Sequence, residues 1–258
     1  FISTSATVQT IATGGKTMPN FTFNGSTGSW QLTDSSTISN ITHLAGTFST
    51  NNQTVSTGGM DAIAGSGTLT FGSSAISATF WQVRLFKTIT ANTATVTLSN
   101  ASSWFDNNTI AGTNYNGMSV IQSGSGTCVL GPSGGGGSPI TLANYTRTGS
   151  ASKIDALSIG TTSLTCTGTF TANGNSVTNR LIVQSSTLGT ARTITAATVS
   201  MSNVDFADIT GAGAATWSGT SIGNALGNSG ITFTTPVTRY CVSTGGAIDL
   251  DSTTMWAT

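Results

Sequence analysis

Few residues of this chain have the chemistry of a catalytic group. The 258 residues include a single histidine, His43, and eight acidic residues, all of them Asp. A nucleophile relay needs a base such as histidine beside a Ser and an Asp, and sequence order alone does not exclude one. A lone histidine inside a strand-like run is more typical of a hydrogen-bonded surface or core residue, so we expect a structural role for His43.

The acidic residues form two close pairs, Asp205/Asp208 and Asp249/Asp251. Glycan-cleaving enzymes use two carboxylates, one as an acid and the other as a base or nucleophile. Residues three apart in an extended strand point to opposite faces, so Asp205 and Asp208 converge only if a turn lies between them. Asp249 and Asp251 share a face, but capping of a turn is the simpler interpretation of either pair. The sequence therefore predicts no catalytic residues.

No pattern of metal ligands is present either. The chain has no calcium-loop motif and no cluster of Cys and His at ligand spacing. Cys128, Cys166 and Cys241 are odd in number and far apart, which favours buried small hydrophobes over a disulfide framework. We expect no metal and no other cofactor.

Exposed aromatic rings are the remaining source of binding chemistry. Sugar-binding surfaces place such rings beside amides and hydroxyls, but most of the five Trp residues are expected to plug an end of the fold or to lie between its layers. The segment 102–108 and its neighbour 114–116 form the expected exposed cluster. We predict Trp104, Asn114 and Tyr115 as glycan contacts.

Thr-x-Thr pairs begin at Thr68, Thr88, Thr95 and Thr193 and suggest an ice-binding array. Such an array needs its pairs at constant spacing. Successive pairs are 20, 7 and 98 residues apart, which makes ice binding a lesser alternative.

The elements that must position these residues are strands. Ser and Thr together number 86, charged residues make up 6% where about 25% is usual, and the formal net charge is zero. Low charge argues against nucleic-acid binding and against a polybasic membrane surface. No apolar run reaches the roughly 20 residues of a spanning helix, so membrane insertion is not expected. Branched and aromatic residues alternate with Thr and Ser in short runs separated by Gly and Asn, which predicts an all-β fold.

A repeated phrase distinguishes between the β architectures. GTFSTNNQTVS at 46–56 and GTFTANGNSVT at 168–178 agree at Gly, Thr, Phe, Asn and Val, and short β runs follow each copy by roughly 20 residues. That period favours a right-handed parallel β-solenoid (β-helix) of short strands over a β-sandwich or jelly roll. We expect Phe and Val of each copy to face inward, Thr and Ser to face solvent, and Gly and Asn to form the corners. The body is predicted over 1–204, with a Gly-rich loop at 131–139 and a terminal β segment at 205–258 that starts a further module.

The segment 178–240 carries a specific resemblance. Its phrases TNRLIVQSSTLGTARTITAATVSMSNVDFADITGAGAATWSGT and GNSGITFTTPVTRY, with GSWQLTD at 28–34, resemble a family of repetitive β-solenoid proteins of tailed and environmental bacteriophages. Members are regarded as structural or tail-fibre-like virion proteins, and no catalytic residues are transferred. Cys241 stands where that family commonly has Trp.

The resemblance implies a non-enzymatic structural protein of a phage virion, as a tail fibre, spike or capsid-surface appendage. The expected location is the particle surface. Expected partners are further copies of the chain, with a trimer favoured, other virion proteins and a host surface glycan. The first alternative is a carbohydrate-binding host-attachment module, and the second is a polysaccharide-degrading tailspike.

Overall fold

The chain winds into a stack of short strands. The computed structural model describes residues 1–83, 87–106, 115–131, 138–153, 155–235, 240–241 and 256–257, and within these ranges every regular element is a strand. The first fifteen are β1 (Val8–Ile11), β2 (Thr17–Met18), β3 (Phe21–Phe23), β4 (Ser29–Leu32), β5 (Ser36–Ile38), β6 (Ile41–His43), β7 (Thr47–Ser49), β8 (Val55–Thr57), β9 (Gly59–Ala62), β10 (Gly67–Thr70), β11 (Ala75–Ala78), β12 (Phe80–Val83), β13 (Lys87–Thr90), β14 (Thr95–Leu98) and β15 (Trp104–Asp106). The others are β16 (Ser119–Gln122), β17 (Thr127–Leu130), β18 (Ile140–Leu142), β19 (Asn144–Thr148), β20 (Ala156–Ile159), β21 (Ser163–Asn173), β22 (Leu181–Ser185), β23 (Arg192–Ala207), β24 (Ile209–Ala212), β25 (Thr220–Asn224), β26 (Tyr240–Cys241) and β27 (Trp256–Ala257).

In the first five coils three consecutive strands make one coil, and each strand pairs in parallel with its counterparts in the neighbouring coils. Further along the chain, β21 and β23 each extend over more than one face. The first face contains β1, β4, β7, β10 and β13, the second begins β2, β5, β8, β11, β14, and the third begins β3, β6, β9, β12, β15. The described pairings are parallel except that of β26 with β27. The predicted parallel β-solenoid, of about nine turns, is confirmed.

Side chains alternate between the core and solvent along each strand, as a pleated backbone requires. On the third face, Met60, Trp81 and Phe105 occupy successive coils of one buried column, and the rings of the last two stack at 5.9 Å. Phe48 and Phe170 are both fully buried, as predicted. The core is therefore a set of apolar ladders that run from coil to coil.

The two copies of the repeated phrase do not occupy equivalent places. Phe48 lies on first-face strand β7, whereas Phe170 lies in the half of β21 that pairs with second-face strand β19. Val55 is buried, but Val177 is 67% exposed because it follows β21 in a corner segment. The prediction that both Val residues face inward is therefore wrong for Val177. Gly-Thr-Phe followed by Asn describes a strand and the corner after it, and such a unit fits more than one corner of a coil.

The winding continues across the boundary expected at residues 204–205. Strand β23 runs from Arg192 to Ala207, and β24 and β25 pair with it in parallel. Trp217 then closes the last coil: its ring is 5.7 Å from that of Phe170, and its Nε1 donates to the carbonyl of Ala212 at 2.9 Å. Ile231 and Phe233 also pack against the core at this end. Of the predicted Gly-rich loop, residues 132–137 lie outside the described ranges.

Candidate functional site

A change in corner length creates a cleft on the side of the solenoid. The second and third faces are joined by one residue in the third coil (between β8 and β9) and in the fourth (between β11 and β12), but by residues 99–103 in the fifth. This longer loop, called the 99–103 loop below, overhangs the tight corners beside it. The resulting cleft has a volume of about 310 Å³. Its lining residues are Thr79, Phe80, Gln82, Asn100, Ala101, Ser102, Ser103 and Trp104.

Two aromatic side chains, Phe80 and Trp104, line the cleft. Trp104 and Phe80 point outward on adjacent third-face strands whose inward neighbours, Phe105 and Trp81, are paired. The ring of Phe80 lies over Gly59 in the coil beyond, where a Cβ would be 2.1 Å from the ring. Because Phe80 leans away, Trp104 keeps an indole that is 46% exposed at the mouth of the cleft.

The 99–103 loop is fixed from below by a buried polar network. Ser103 is buried, and its carbonyl and hydroxyl accept from the Gln122 amide at 3.1 and 3.3 Å. The Tyr145 hydroxyl donates to the Gln122 amide oxygen at 2.5 Å. On the neighbouring corner, Gly124 lies so close that a Cβ would be 1.8 Å from the Asn100 carbonyl oxygen. These contacts hold the loop, and therefore Trp104, in one place.

Two carboxylates flank the cleft without lining it. Gln82 is in register with Asp61 on one side and with Asp106 on the other, so the three form one ladder across three coils. In this ladder Asp61 and Gln82 are half-buried and Asp106 is buried. Two coil spacings put the Cα atoms of Asp61 and Asp106 about 9.5 Å apart. This pair was not predicted from the sequence because its members are 45 residues apart. A signal was present: each member of the ladder directly follows a buried Met60, Trp81 or Phe105.

The predicted glycan contacts have three different outcomes. Trp104 is exposed in the cleft, as its role requires. Tyr115 is fully buried with its ring 5.1 Å from that of Phe105, so its prediction as a surface contact is wrong. Phe105 faces the core there, and Tyr115 fills the same layer. Asn114 lies outside the described residues.

The acidic pairs considered first do not form a catalytic centre in the described chain. Asp205 receives two hydrogen bonds from Arg180, each of 2.7 Å, and Asp208 accepts from the Gly189 amide at 2.8 Å. Residues 206 and 207 between them belong to β23, and the chain bends at Asp208 itself, which has a φ of +55°. Asp208 thus has the predicted turn-capping role, and Asp205 is held in an ion pair. Asp249 and Asp251 lie outside the described residues.

His43 is fully buried in the core, one of the two structural positions expected for it. Its Nε2–H donates to the Gly46 carbonyl at 3.2 Å, and its Nδ1 has no partner among the described residues. Burial, with the nearby Lys87 ammonium, lowers the pKa of His43 to about 4. Lys87 itself is 7% exposed and reaches past Gly67 to donate to the carbonyls of His43 and Leu44 at 2.9 and 3.0 Å.

The other sequence predictions concern cysteines, tryptophans and threonines. Cys128 and Cys166 are buried free thiols, as expected. The side chain of Cys241 is not among those that the structure describes. Trp30 and Trp81 lie between coils, in agreement with the role predicted for most Trp residues. The uneven sequence spacing of the Thr-x-Thr pairs hid the alignment of two of them. A separation of 20 residues is one coil, so Thr68/Thr70 and Thr88/Thr90 are directly in register.

Neither a metal site nor a spanning helix is found in the described ranges. They contain no group of three or more His, Cys, Asp or Glu residues placed to hold an ion. No described helix has the length and apolar character needed to cross a membrane. The chain matches no family model, no curated protein and no solved structure.

Proposed function

We propose that this chain is a non-enzymatic structural module of a phage virion, part of a tail fibre, spike or capsid-surface appendage. The observation that supports this is the series of parallel coils that the described strands form between β1 and β25. About nine coils give a rod of roughly 43 Å, in which contacts between neighbouring coils supply the stability. Solvent-facing Thr and Ser keep such a rod hydrated with few charges. The assignment to a phage rests on the sequence resemblance alone.

Immunogold labelling of purified particles tests this proposal. An antibody raised against the chain is expected to label a fixed position on the virion surface, and mass spectrometry of the same particles is expected to detect the chain. Light scattering of the purified protein measures the predicted trimer. A chain that is abundant in infected cells but absent from purified particles would contradict the structural role.

The second candidate function is carbohydrate binding for host attachment. The observation that favours it is the exposed Trp104 indole beside the amides of Gln82 and Asn100 in a fixed cleft. An apolar sugar face stacks on an aromatic ring while its hydroxyls bond to amides and hydroxyls. Trp104→Ala is expected to abolish binding to host surface sugars. Leu188→Ala, which changes an exposed apolar residue elsewhere, is the matched control.

A polysaccharide-degrading tailspike is the third candidate. Its support is the ladder position of Asp61 and Asp106, whose Cα atoms are about 9.5 Å apart, close to the carboxyl separation of inverting glycosidases. The burial of Asp106, which is 3% exposed, weighs against it. Release of reducing ends from host polysaccharide, lost in Asp61→Asn, would support this activity. Polysaccharide that stays intact after prolonged incubation with the protein would rule out this activity.

A further inference from the structure

We infer that the cleft beside Trp104 accepts an electrically neutral glycan and rejects anionic ones. This inference rests on the carbohydrate-binding function proposed above and specifies its ligand class. Every lining residue of the cleft that the structure describes is uncharged. Recognition of sulfate, phosphate or carboxylate groups usually relies on Arg, Lys or converging backbone amides. The cleft offers amides and hydroxyls from side chains instead.

The polar groups of the cleft suit hydroxyl groups in particular. The carboxamides of Gln82 and Asn100 each carry both a donor and an acceptor, as does the Ser102 hydroxyl. A sugar hydroxyl also donates and accepts, so each can satisfy both roles at such a partner. The Thr79 hydroxyl already donates to the Gly58 carbonyl, which leaves its oxygen to accept. With Trp104 beneath the ring, these groups recognise a neutral pyranose.

One described carboxylate opposes an anion. Asp61 is a ladder neighbour of Gln82, one coil away, and is half-buried. A carboxylate or sulfate on a sugar bound at Gln82 would lie about one coil spacing from this like charge. Since like charges at such distances repel most where water is partly excluded, an anionic sugar binds less tightly than its neutral counterpart.

The cleft also extends along the rod. A second depression of about 150 Å³ shares Thr79 and Asn100 with the cleft and continues past Ser77 of the fourth coil to Ser56 of the third. One coil rises about 4.8 Å, which is close to the length of one pyranose unit in an extended chain. The ladder partners Ser56 and Ser77 therefore place hydroxyls at intervals that match successive sugars. We expect an oligosaccharide to bind better than a monosaccharide.

Binding of the full chain to two matched sets of immobilised polysaccharides tests the inference. The neutral set is dextran, mannan and β-glucan, and the anionic set is alginate, polygalacturonate and hyaluronan. At least one neutral polymer is expected to bind. That binding should weaken at least tenfold in Trp104→Ala but not in Leu188→Ala. It should also change less than twofold as ionic strength rises from about 0.01 to about 1 M, which shortens the screening length from about 30 to about 3 Å.

The outcomes separate the ligand class from the function itself. Salt-sensitive binding to anionic polymers only, lost in Trp104→Ala, would overturn the neutral-ligand inference while carbohydrate binding stands. Binding of a neutral polymer that is unaffected by Trp104→Ala would place the ligand elsewhere and overturn the inference. If no carbohydrate of either set binds, nor any glycan from the surface of a susceptible host, the carbohydrate-binding function fails as well. Asp61→Asn tests the effect of the charge. Because this variant lacks one carboxylate, its ratio of affinities for neutral and anionic polymers should be smaller than that of wild type.

Discussion

Replacement of Lys87 with Met is expected to change how the stability of the protein depends on pH. The Lys87 side chain is buried, and its ammonium is held by the carbonyls of His43 and Leu44. Burial lowers the pKa of Lys87 to about 8 from its ordinary value of 10.5. Below pH 8 the folded protein therefore carries the full cost of a buried charge.

The direction and size of the effect follow from proton linkage. Between pH 8 and pH 10.5 the unfolded chain retains a proton that the folded chain has lost, so the free energy of unfolding rises with pH in this window. The displaced pKa of Lys87 corresponds to about 3 kcal/mol over the whole window. Other groups change the free energy of unfolding in the opposite direction. Burial raises the pKa of the Cys166 thiol to about 12, so the protein loses stability as the pH rises above the usual pKa of a thiol. Comparing wild type with Lys87→Met removes such shared contributions.

Urea unfolding at pH 7 and pH 10 measures the difference. Lys87→Met should gain less stability than wild type over this interval, by about 2 to 3 kcal/mol. Lys16→Met, which removes an exposed ammonium, serves as the control and should behave as wild type does. Equal pH dependence in wild type and Lys87→Met would refute the assignment of a buried, destabilised ammonium, whatever the absolute stability of the variant. In acid, Lys87→Met should also raise the pKa of His43, since the Lys87 charge helps to lower it.

Four further measurements follow from the same structure. Phe170→Ala should lower the free energy of unfolding by about 3 to 5 kcal/mol because it empties a filled layer beneath the closing Trp217 ring, and wild-type stability would contradict the inward ladder. Gly124→Ala should destabilise the corner and weaken glycan binding, since its Cβ meets a backbone oxygen; unchanged binding would show that the neighbouring corner does not position the 99–103 loop. Cys128 and Cys166 should resist alkylation in the native protein and react in urea, as mass spectrometry will show, and rapid native labelling would contradict their burial. An ice-binding role of the Thr68/Thr88 ladder predicts thermal hysteresis that a Lys substitution at either position removes, and its absence in wild type would end that hypothesis.

The inward ladders could be predicted from the sequence because they depend on the alternation of apolar and polar residues along each strand. Apolar residues one apart between Thr and Ser predict a pleated strand, and a period near 20 predicts a coil, so the inward positions of Phe48 and Phe170 could be stated in advance. The inward direction predicted for Val177 was wrong because direction after a corner depends on corner length. The exposure of Tyr115 was wrongly predicted for a related reason. The residues around Tyr115 in the sequence are polar and predicted exposure, but its ring packs against Phe105 and is buried.

The ladder of Asp61, Gln82 and Asp106 could not be predicted without the register of three coils. Sequence separation between ladder neighbours is 21 for the first step and 24 for the second, because the corners in between differ in length. Any search for carboxylates at fixed short spacing therefore passes over them. Buried groups such as Gln122 and Tyr145 were missed for the same reason, since their partners come from other coils.

Corner length is the variable that positions the candidate site. The inward ladders require each strand to keep its register, but a corner faces solvent and can lengthen at a small entropic cost. In the third and fourth coils a single residue joins the second face to the third, and the 99–103 loop of the fifth coil then overhangs them and forms the cleft. Replacing that loop with a single residue should preserve the coils while abolishing the cleft and its ligand. If the shortened variant unfolds cooperatively at nearly wild-type urea concentration yet no longer binds glycan, scaffold and site are separable. If it fails to fold, the loop and its bonds to Gln122 are part of the scaffold itself.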